Sequence, residues 1–208
     1  MKPLDLSNVE AMEPGERERI EAGGYVVKIV GIVDNEDKEF VWLVFDIAEG
    51  PRKGFYTNDD NREYYAEKPN KHGILISYKQ GMSEKAKQML KGKLKLFSES
   101  NGGFDAERAF SSAHPEHFIG KIIGLVAGME EYVYEGREDG LWHKGESIDW
   151  FHARMKKPDD IRAGKFKVPD TRELDDIDRA KLDDQDAPQT STSSGGSGDE
   201  IYTDIPFD

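Results

Sequence analysis

Hydrophobic residues concentrate first in two neighbouring stretches that have the pattern of β-strands. Residues 25–33 combine Val and Ile at high density and predict a first strand. Turn-forming Asp and Asn follow at 34–37, and residues 39–47 predict a second strand, so the two strands are expected to form a hairpin. Alternation in the second strand assigns four side chains to its core face: Val41, Leu43, Phe45 and Ile47.

The pattern then predicts a third strand and one helix. Residues 52–57 form a short strand that continues at 73–79, beyond a polar, Tyr-rich stretch. The helical period follows from Ser83, the expected N-cap, with Leu94 and Phe97 on the apolar face. Gly92 lies within this helix and weakens the prediction that it is unbroken.

Two later apolar stretches predict the fourth and fifth strands. They cover residues 117–134 and 147–155, with a loop at 98–115 before them and a short helix plus an extended segment at 158–170 after them. The order strand, strand, strand, helix, strand, strand predicts a mainly β domain with one helix, an OB-fold-like five-stranded Greek-key barrel. Other small β-barrels with one helix fit the same order.

Composition divides the chain into three parts. Residues 1–22 are a polar N-terminal extension, residues 23–168 the OB-like domain, and residues 169–208 an acidic, disordered tail with a Ser/Gly-rich linker and an apolar tip. The chain has no Cys, no long apolar run and no secretory leader pattern, so we expect a cytoplasmic protein that does not span a membrane.

The net charge of −13 by itself argues against nucleic acid as a partner, but the charges are unevenly distributed along the chain. Residues 51–98 contain eleven bases against five acids, whereas residues 169–208 contain twelve acids and three bases. A basic segment inside an acidic chain keeps nucleic acid open as a partner.

Aromatic and basic residues interleave in and after the second strand, the combination that single-stranded nucleic acid requires for stacking and for phosphate contacts. The predicted stacking residues are Phe40, Trp42, Phe55, Tyr56, Tyr64, Tyr65, Tyr78 and Trp150. The predicted phosphate-binding residues are Arg52, Lys53, Arg62, Lys68, Lys71, Lys79, Arg154 and Lys156. For Trp42 the alternative is a strand face covered by the helix or by the N-terminal segment, and for the tyrosines it is a solvated loop. For Trp150 the alternative is a core residue.

Signals for catalysis are weak. His114 and His117 lack a third ligand at a characteristic spacing, and the acids at 130–131 and 135–139 are typical of solvated turns. We therefore predict no catalytic residues, no metal and no cofactor, with a Mg²⁺-dependent nuclease as a distant alternative.

Three segments carry a resemblance to a known family. GGYVVKIVGI, SYKQGMSEKAKQMLKGKLKLFSESNGGFD and DDIRAGKFKVP resemble, in order and spacing over residues 20–170, a phage- and prophage-encoded family of single-stranded-DNA-binding proteins. The resemblance implies a protein that coats single strands during phage DNA replication or recombination in the bacterial host cell.

The C-terminal tip carries a second resemblance. Asp204, Ile205, Pro206 and Phe207 match the tip of bacterial single-stranded-DNA-binding proteins, which implies recruitment of replication and recombination proteins. Asp208 follows where those tails end on Phe, so the terminal carboxylate lies one residue further out.

The alternative function is an acidic adaptor that recruits replication and recombination proteins without binding DNA. Monomer and homo-oligomer remain open.

Overall fold

The computed structural model describes residues 19–186, except residue 138, and omits the side chains of 184–186. Its strands are β1 (Gly23–Asn35), β2 (Phe40–Ile47), β3 (Gly73–Ser77), β4 (Ile122–Ala127), β5 (Met129–Glu135), β6 (Trp142–Ile148) and β7 (Arg154–Lys156). Its α-helices are α1 (Arg62–Tyr65), α2 (Glu84–Ser100), α3 (Ala106–Ser111), α4 (Pro158–Arg162) and α5 (Asp176–Asp186), and short 3₁₀ helices cover Pro69–Lys71 and Pro115–Phe118. Within the described residues, no helix has the length and apolar character needed to cross a membrane.

The strands form two antiparallel sheets. Five strands are ordered β3-β2-β1-β4-β7, and β5 pairs with β6 as a separate hairpin. The prediction of a mainly β domain is confirmed. The sheet does not close into a barrel in the part of the chain that the structure describes, because its edge strands β3 and β7 do not pair with each other.

The core lies on one face of the five-stranded sheet. The predicted core face of β2 is confirmed, since Val41, Leu43, Phe45 and Ile47 are each at most 2% exposed. Helix α2 covers this side, with Leu94 and Phe97 buried. Burial of each such side chain stabilises the fold by about 1.5–3 kcal/mol.

Helix α2 begins as the sequence predicts. The Ser83 side chain accepts a hydrogen bond from the Ala86 amide at 3.2 Å, which satisfies one of the free N–H groups of the first turn. The helix continues through Gly92, where an added Cβ would meet nothing within 4 Å. Gly92 therefore lies on an open surface and does not interrupt the helix.

Three strand predictions are wrong. Residues 52–57 form turns because Gly50 and Gly54 adopt positive φ angles of 85° and 75°, which end the extended conformation. The predicted fourth strand divides at Gly128 into β4 and β5, which belong to different sheets. The predicted fifth strand is interrupted by the turn between β6 and β7.

Further helices occur where the sequence analysis expected none. Helix α3 lies in the predicted loop at 98–115, capped by the Asp105 side chain, which accepts from the Arg108 amide. Helix α5 lies in the predicted tail, so the structure extends the folded chain beyond Val168. Helix α4, by contrast, confirms the short helix expected after residue 157.

The opposite face of the five-stranded sheet is covered over half its width. A Cβ added at Gly124 on β4 would lie 2.6 Å from Ile161 Cγ1, so α4 packs directly on the backbone there. Val26 and Val126 are buried beneath this segment. The half formed by β2 and β3 is only partly covered, and Trp42 lies there.

Candidate nucleic-acid interface

The β5–β6 hairpin presents two exposed tyrosines on one face. Tyr132 and Tyr134 are 40% and 47% exposed, and their ring centroids are 6.0 Å apart. They share a face because they are two residues apart in β5. We call this surface, formed by Tyr132 and Tyr134 with their cross-strand partners Gly145 and His143, the tyrosine face.

Cross-strand packing fixes both rings. A Cβ at Gly145 would lie 2.7 Å from Cζ of Tyr132, so the ring lies against the bare backbone of β6. The Tyr134 ring stacks on His143 with centroids 5.5 Å apart, and His143 Nε2 is 2.9 Å from Asp139 Oδ2. Rings held in this way lose little further freedom when a ligand stacks on them.

A second wall faces the hairpin. Tyr64 of α1 is 44% exposed and carries Lys68 Nζ 3.3 Å from its ring centroid. Lys71 Nζ lies 6.0 Å from the Tyr132 ring centroid, which brings the two walls together. Between them is a cleft of about 850 Å³ whose lining includes Tyr64, Tyr132, Tyr134, Arg19, Arg137 and Lys144.

The cleft carries charges of both signs. Glu135 and Glu146 line it together with the three cations. Lys144 Nζ is 2.5 Å from Glu131 Oε1, and this hydrogen bond holds the pKa of the Glu131 carboxyl below its ordinary value. The cleft can therefore offer flat rings and three cations to a ligand, together with two carboxylates.

Trp42 occupies a second aromatic surface on the five-stranded sheet. Its register partners Val33 and Leu75 lie on the same, non-core face. Phe40 and Phe151 contact the indole, with ring centroids 6.0 Å and 6.5 Å from that of Trp42. The predicted alternative of a cover by the N-terminal segment involves residues 1–18, which lie outside the described residues.

Gly73 sets the position of this indole. A Cβ at Gly73 would lie 2.9 Å from Cε3 of Trp42. The ring therefore lies close to the backbone of β3. A side chain at residue 73 would meet both the indole and the Pro69 carbonyl oxygen.

Three predicted stacking residues are wrong. Phe55, Tyr56 and Trp150 are 4%, 3% and 5% exposed, so no nucleobase reaches their faces. Trp150 Nε1 donates to the Tyr56 hydroxyl at 2.6 Å, and the Tyr56 ring stacks on His72 at 4.6 Å. These three aromatic side chains therefore belong to the hydrophobic core.

A buried carboxylate explains why Phe55 and Tyr56 turn inward. Asp46, 4% exposed, accepts hydrogen bonds from the Tyr56 amide at 3.0 Å and from the Thr57 hydroxyl. These bonds draw the turn after β2 onto the sheet. A buried carboxyl group needs such hydrogen-bond partners because burial without them costs free energy.

The other predicted aromatic residues have separate environments. Tyr65 is half-buried, with its ring 4.8 Å from those of Tyr56 and Tyr64. Tyr78 donates from its hydroxyl to Asp34 Oδ1 at 2.7 Å, and this hydrogen bond raises the pKa of Tyr78 to about 12. Tyr78 therefore contacts the end of the β1–β2 hairpin, and it does not line the cleft.

The predicted phosphate-binding residues are dispersed. Lys68 and Lys71 contact tyrosine rings of the cleft walls, as described above. Arg62 is exposed on α1, and Arg154 and Lys156 lie on the edge strand β7. Three further cations lie in the turn after β2 or just beyond β3: Arg52, Lys53 and Lys79.

Sequence reasoning missed the hairpin half of the cleft. The available signal was Tyr-Val-Tyr at 132–134, an alternation that places two rings on one strand face. It lay inside an apolar stretch interpreted as one long strand.

The two histidines considered for a metal or catalytic site, His114 and His117, are both exposed. His114 and His117 stack at 5.4 Å, and His114 Nδ1 is 2.7 Å from Glu116 Oε1. Among the described residues, no group of three or more His, Asp or Glu side chains is placed to hold a metal ion. The predicted tip, Asp204, Ile205, Pro206, Phe207 and Asp208, lies outside the described residues.

No protein-family model matches the chain, and neither a curated protein nor a solved structure matches it. The resemblance to phage single-stranded-DNA-binding proteins therefore stays a prediction.

Proposed function

We propose that this protein binds single-stranded DNA with little sequence preference, through the cleft between the β5–β6 hairpin and residues 62–71. The observation that carries the proposal is the convergence of three exposed tyrosines, Tyr64, Tyr132 and Tyr134, with basic side chains on both walls. Bases stack on aromatic faces whatever their identity, and each stacked base contributes about 1–3 kcal/mol.

The cations of the cleft provide the second part of the interaction. Lys68, Lys71 and Arg137 are positioned to meet phosphates beside the tyrosines. Phosphate neutralisation releases counterions, so the affinity falls as salt rises. The aromatic surface around Trp42 offers a further place for unpaired bases to stack.

The sheet order supports an OB-like domain as part of the same proposal. Strands β3-β2-β1-β4-β7, with α2 between β3 and β4, have the neighbour relationships of a Greek-key barrel opened between its third and last strands. The β5–β6 hairpin is then an insertion before the last strand. In OB-folds the loops at this position bind oligonucleotides.

The biological role follows from the resemblance. The protein would coat single strands during phage DNA replication or recombination in the bacterial cytoplasm, without catalysing a reaction. Its tip at 204–208 would recruit replication and recombination proteins.

The test is a titration with fluorescent oligothymidylate and with the matching duplex at two salt concentrations. Tight, salt-sensitive binding of the single strand alone supports the proposal. The double variant Tyr132→Ala/Tyr134→Ala should weaken it, whereas Leu141→Ala, which removes another exposed side chain of the same hairpin, should not. Absence of binding at low salt would favour the adaptor function.

A further inference from the structure

We infer that residues 170–186 act as a brace that positions the tyrosine face for DNA and links it to the acidic tail that follows. The DNA part of this inference rests on the proposed function, whereas the positioning of the hairpin does not. The argument begins with the hairpin itself: β5 and β6 form a two-stranded sheet separate from the five-stranded one. An isolated two-stranded hairpin is marginally stable in water.

The brace supplies a third strand-like partner. Arg172 forms a parallel bridge with Glu130. Its amide donates to the Met129 carbonyl at 2.8 Å, and its carbonyl accepts from the Glu131 amide at 2.9 Å. The base of the hairpin is thereby hydrogen-bonded on the side of β5 that β6 leaves open.

Side chains extend the attachment. Leu174 is only 7% exposed, and its amide donates to Glu131 Oε2 at 3.2 Å. Further along, Lys181 of α5 places Nζ 5.0 Å from the ring centroid of Trp142 in β6. The Leu174 amide bonds β5 and the Lys181 ammonium contacts β6, so residues 170–186 are attached to both strands of the hairpin.

A cluster of polar and charged side chains also holds the end of the hairpin where β5 begins and β6 ends. Arg172 lies between Glu130, at 3.7 Å, and His152 Nδ1, at 3.5 Å. His152 is in turn 2.9 Å from the buried carboxylate of Asp149. These residues belong to β5 and to the turn after β6, so the brace ties the two ends of the hairpin together.

Leu174 and Lys181 contact the side of the hairpin that faces away from the tyrosine face. Their partners Glu131 and Trp142 alternate along the strands with Tyr132 and His143. Arg172, by contrast, contacts Glu130 at the start of β5, on the same side as the tyrosines. The Tyr132 and Tyr134 rings remain 40% and 47% exposed beside these contacts, so DNA can reach them. Because DNA and the brace favour the same hairpin conformation, their binding is linked positively and reciprocally.

The functional consequence concerns the tail. Residues 187–208 continue directly from α5, so a partner that pulled residues 170–186 away from the hairpin would also lower the affinity for DNA. Binding of a partner protein to the tail would then promote release of the DNA strand. The coupling would act through the contact between the brace and the hairpin.

The first experiment needs no DNA. Amide hydrogen exchange of β5 and β6 is compared in the full-length wild type, Leu174→Ala and Ile177→Ala, the last being a matched control because Ile177 of the same segment is 72% exposed. We expect exchange in the hairpin to be at least about tenfold faster in Leu174→Ala, with Ile177→Ala unchanged. Equal exchange in the two variants overturns the brace.

Exchange in β1 and β2 separates a local effect from general unfolding. Those amides should stay as protected in Leu174→Ala as in the wild type. Leu174→Met, which keeps the volume, should restore slow exchange in the hairpin. If Leu174→Ala fails to fold, Leu174→Val and Lys181→Ala each remove a smaller part of the contact between the brace and the hairpin. Hairpin amide exchange that is unchanged in both of these variants contradicts the inference.

The second experiment measures affinity for fluorescent oligothymidylate. Leu174→Ala should weaken binding about tenfold or more although Leu174 does not line the cleft, and Leu174→Met should recover it. In the reciprocal direction, oligothymidylate should slow exchange of the Arg172 amide. If the wild type does not bind, the proposed function fails while the exchange experiment still decides the brace; binding that Leu174→Ala leaves unchanged overturns the coupling.

Discussion

Trp150 Nε1 donates a hydrogen bond of 2.6 Å to the hydroxyl of Tyr56, joining two turns that are 94 residues apart in the chain. Both rings are buried and both contact Phe45 of β2. The bond therefore fastens the turn after β2 and the turn after β6 to the same part of the core. It also accounts for two aromatic residues that the sequence pattern assigned to DNA.

Replacing Tyr56 by Phe should destabilise the protein. The change keeps the ring but leaves the buried Trp150 N–H without its acceptor, at a cost of about 1–3 kcal/mol. Urea denaturation of the two proteins measures the difference. Tyr134→Phe is the control because Tyr134 is 47% exposed, and a change there should stay within about 0.5 kcal/mol. Equal midpoints for Tyr56→Phe and wild type would show that the bond is dispensable.

Alkaline pH should destabilise the wild type through the same residue. Burial raises the pKa of Tyr56 above its ordinary value of 10.0. The unfolded chain thus ionises first, and the stability that this residue contributes is complete below pH 10 and is lost as pH rises beyond that value. Tyr56→Phe should show a shallower loss of stability above pH 10, measured by denaturant unfolding at several pH values. A loss of stability above pH 10 that is as steep in Tyr56→Phe as in the wild type would contradict this assignment.

Removal of the tyrosine face should reduce DNA affinity with little effect on stability. Tyr132→Ala and Tyr134→Ala should each weaken binding of oligothymidylate about 5- to 100-fold, corresponding to one lost stacking contact. The slope of log affinity against log salt should remain close to that of the wild type because the cations are retained. Fluorescence anisotropy at several salt concentrations gives both quantities. A changed slope with unchanged affinity at low salt would point away from stacking.

A glycine at residue 113 should stabilise the protein. Ala113 follows helix α3 with a φ of 57°, and the His114 amide donates to the Ala109 carbonyl at 3.1 Å, the pattern of a helix C-terminus that favours Gly. Ala113→Gly should gain up to about 1 kcal/mol because it relieves the left-handed conformation. Thermal denaturation tests this. The control Ala163→Gly, at a residue with a φ of −84°, should be neutral or destabilising.

Deletion of residues 199–208 should abolish binding of partner proteins while leaving DNA affinity equal or higher. The reason is that the deleted acids repel phosphates and can compete for the basic cleft. Pull-down of replication proteins and oligothymidylate titration measure the two effects. Lower DNA affinity in the deletion would contradict this view of the tail.

The sequence pattern was most reliable where one local rule decides the structure. Alternation in β2 identified Phe45 and its neighbours as core, and the Ser83 side chain marked the start of α2. Both rest on periods and caps that act within a few residues. The prediction of stacking residues failed where a group outside the local segment determines which way a side chain points. Asp46 bonds the Tyr56 amide and draws Tyr56 inward, and Trp150 is buried against Tyr56.

The cleft shows the same division. Tyr64, Lys68 and Lys71 were predicted because they lie close together in the sequence. Their counterparts Tyr132 and Tyr134 come from a hairpin whose existence depends on the break at Gly128 and on the packing of the brace. Composition carries no information on either event, so the only sequence signal for the second wall was the alternation Tyr-Val-Tyr at 132–134.

Gly128 has a consequence for how this fold can vary. A Cβ there would lie 3.0 Å from the Pro169 carbonyl oxygen and 3.2 Å from that of Asp170, so one residue without a side chain joins β4, the hairpin and the start of the brace. The hairpin that begins at that joint, β5 and β6, contributes no strand to the five-stranded sheet, to which the chain returns with β7. The hairpin can therefore grow or shrink in related chains by whole pairs of residues while the core is unchanged. The number of nucleotides that one molecule covers would then change during evolution without affecting how the five-stranded sheet folds.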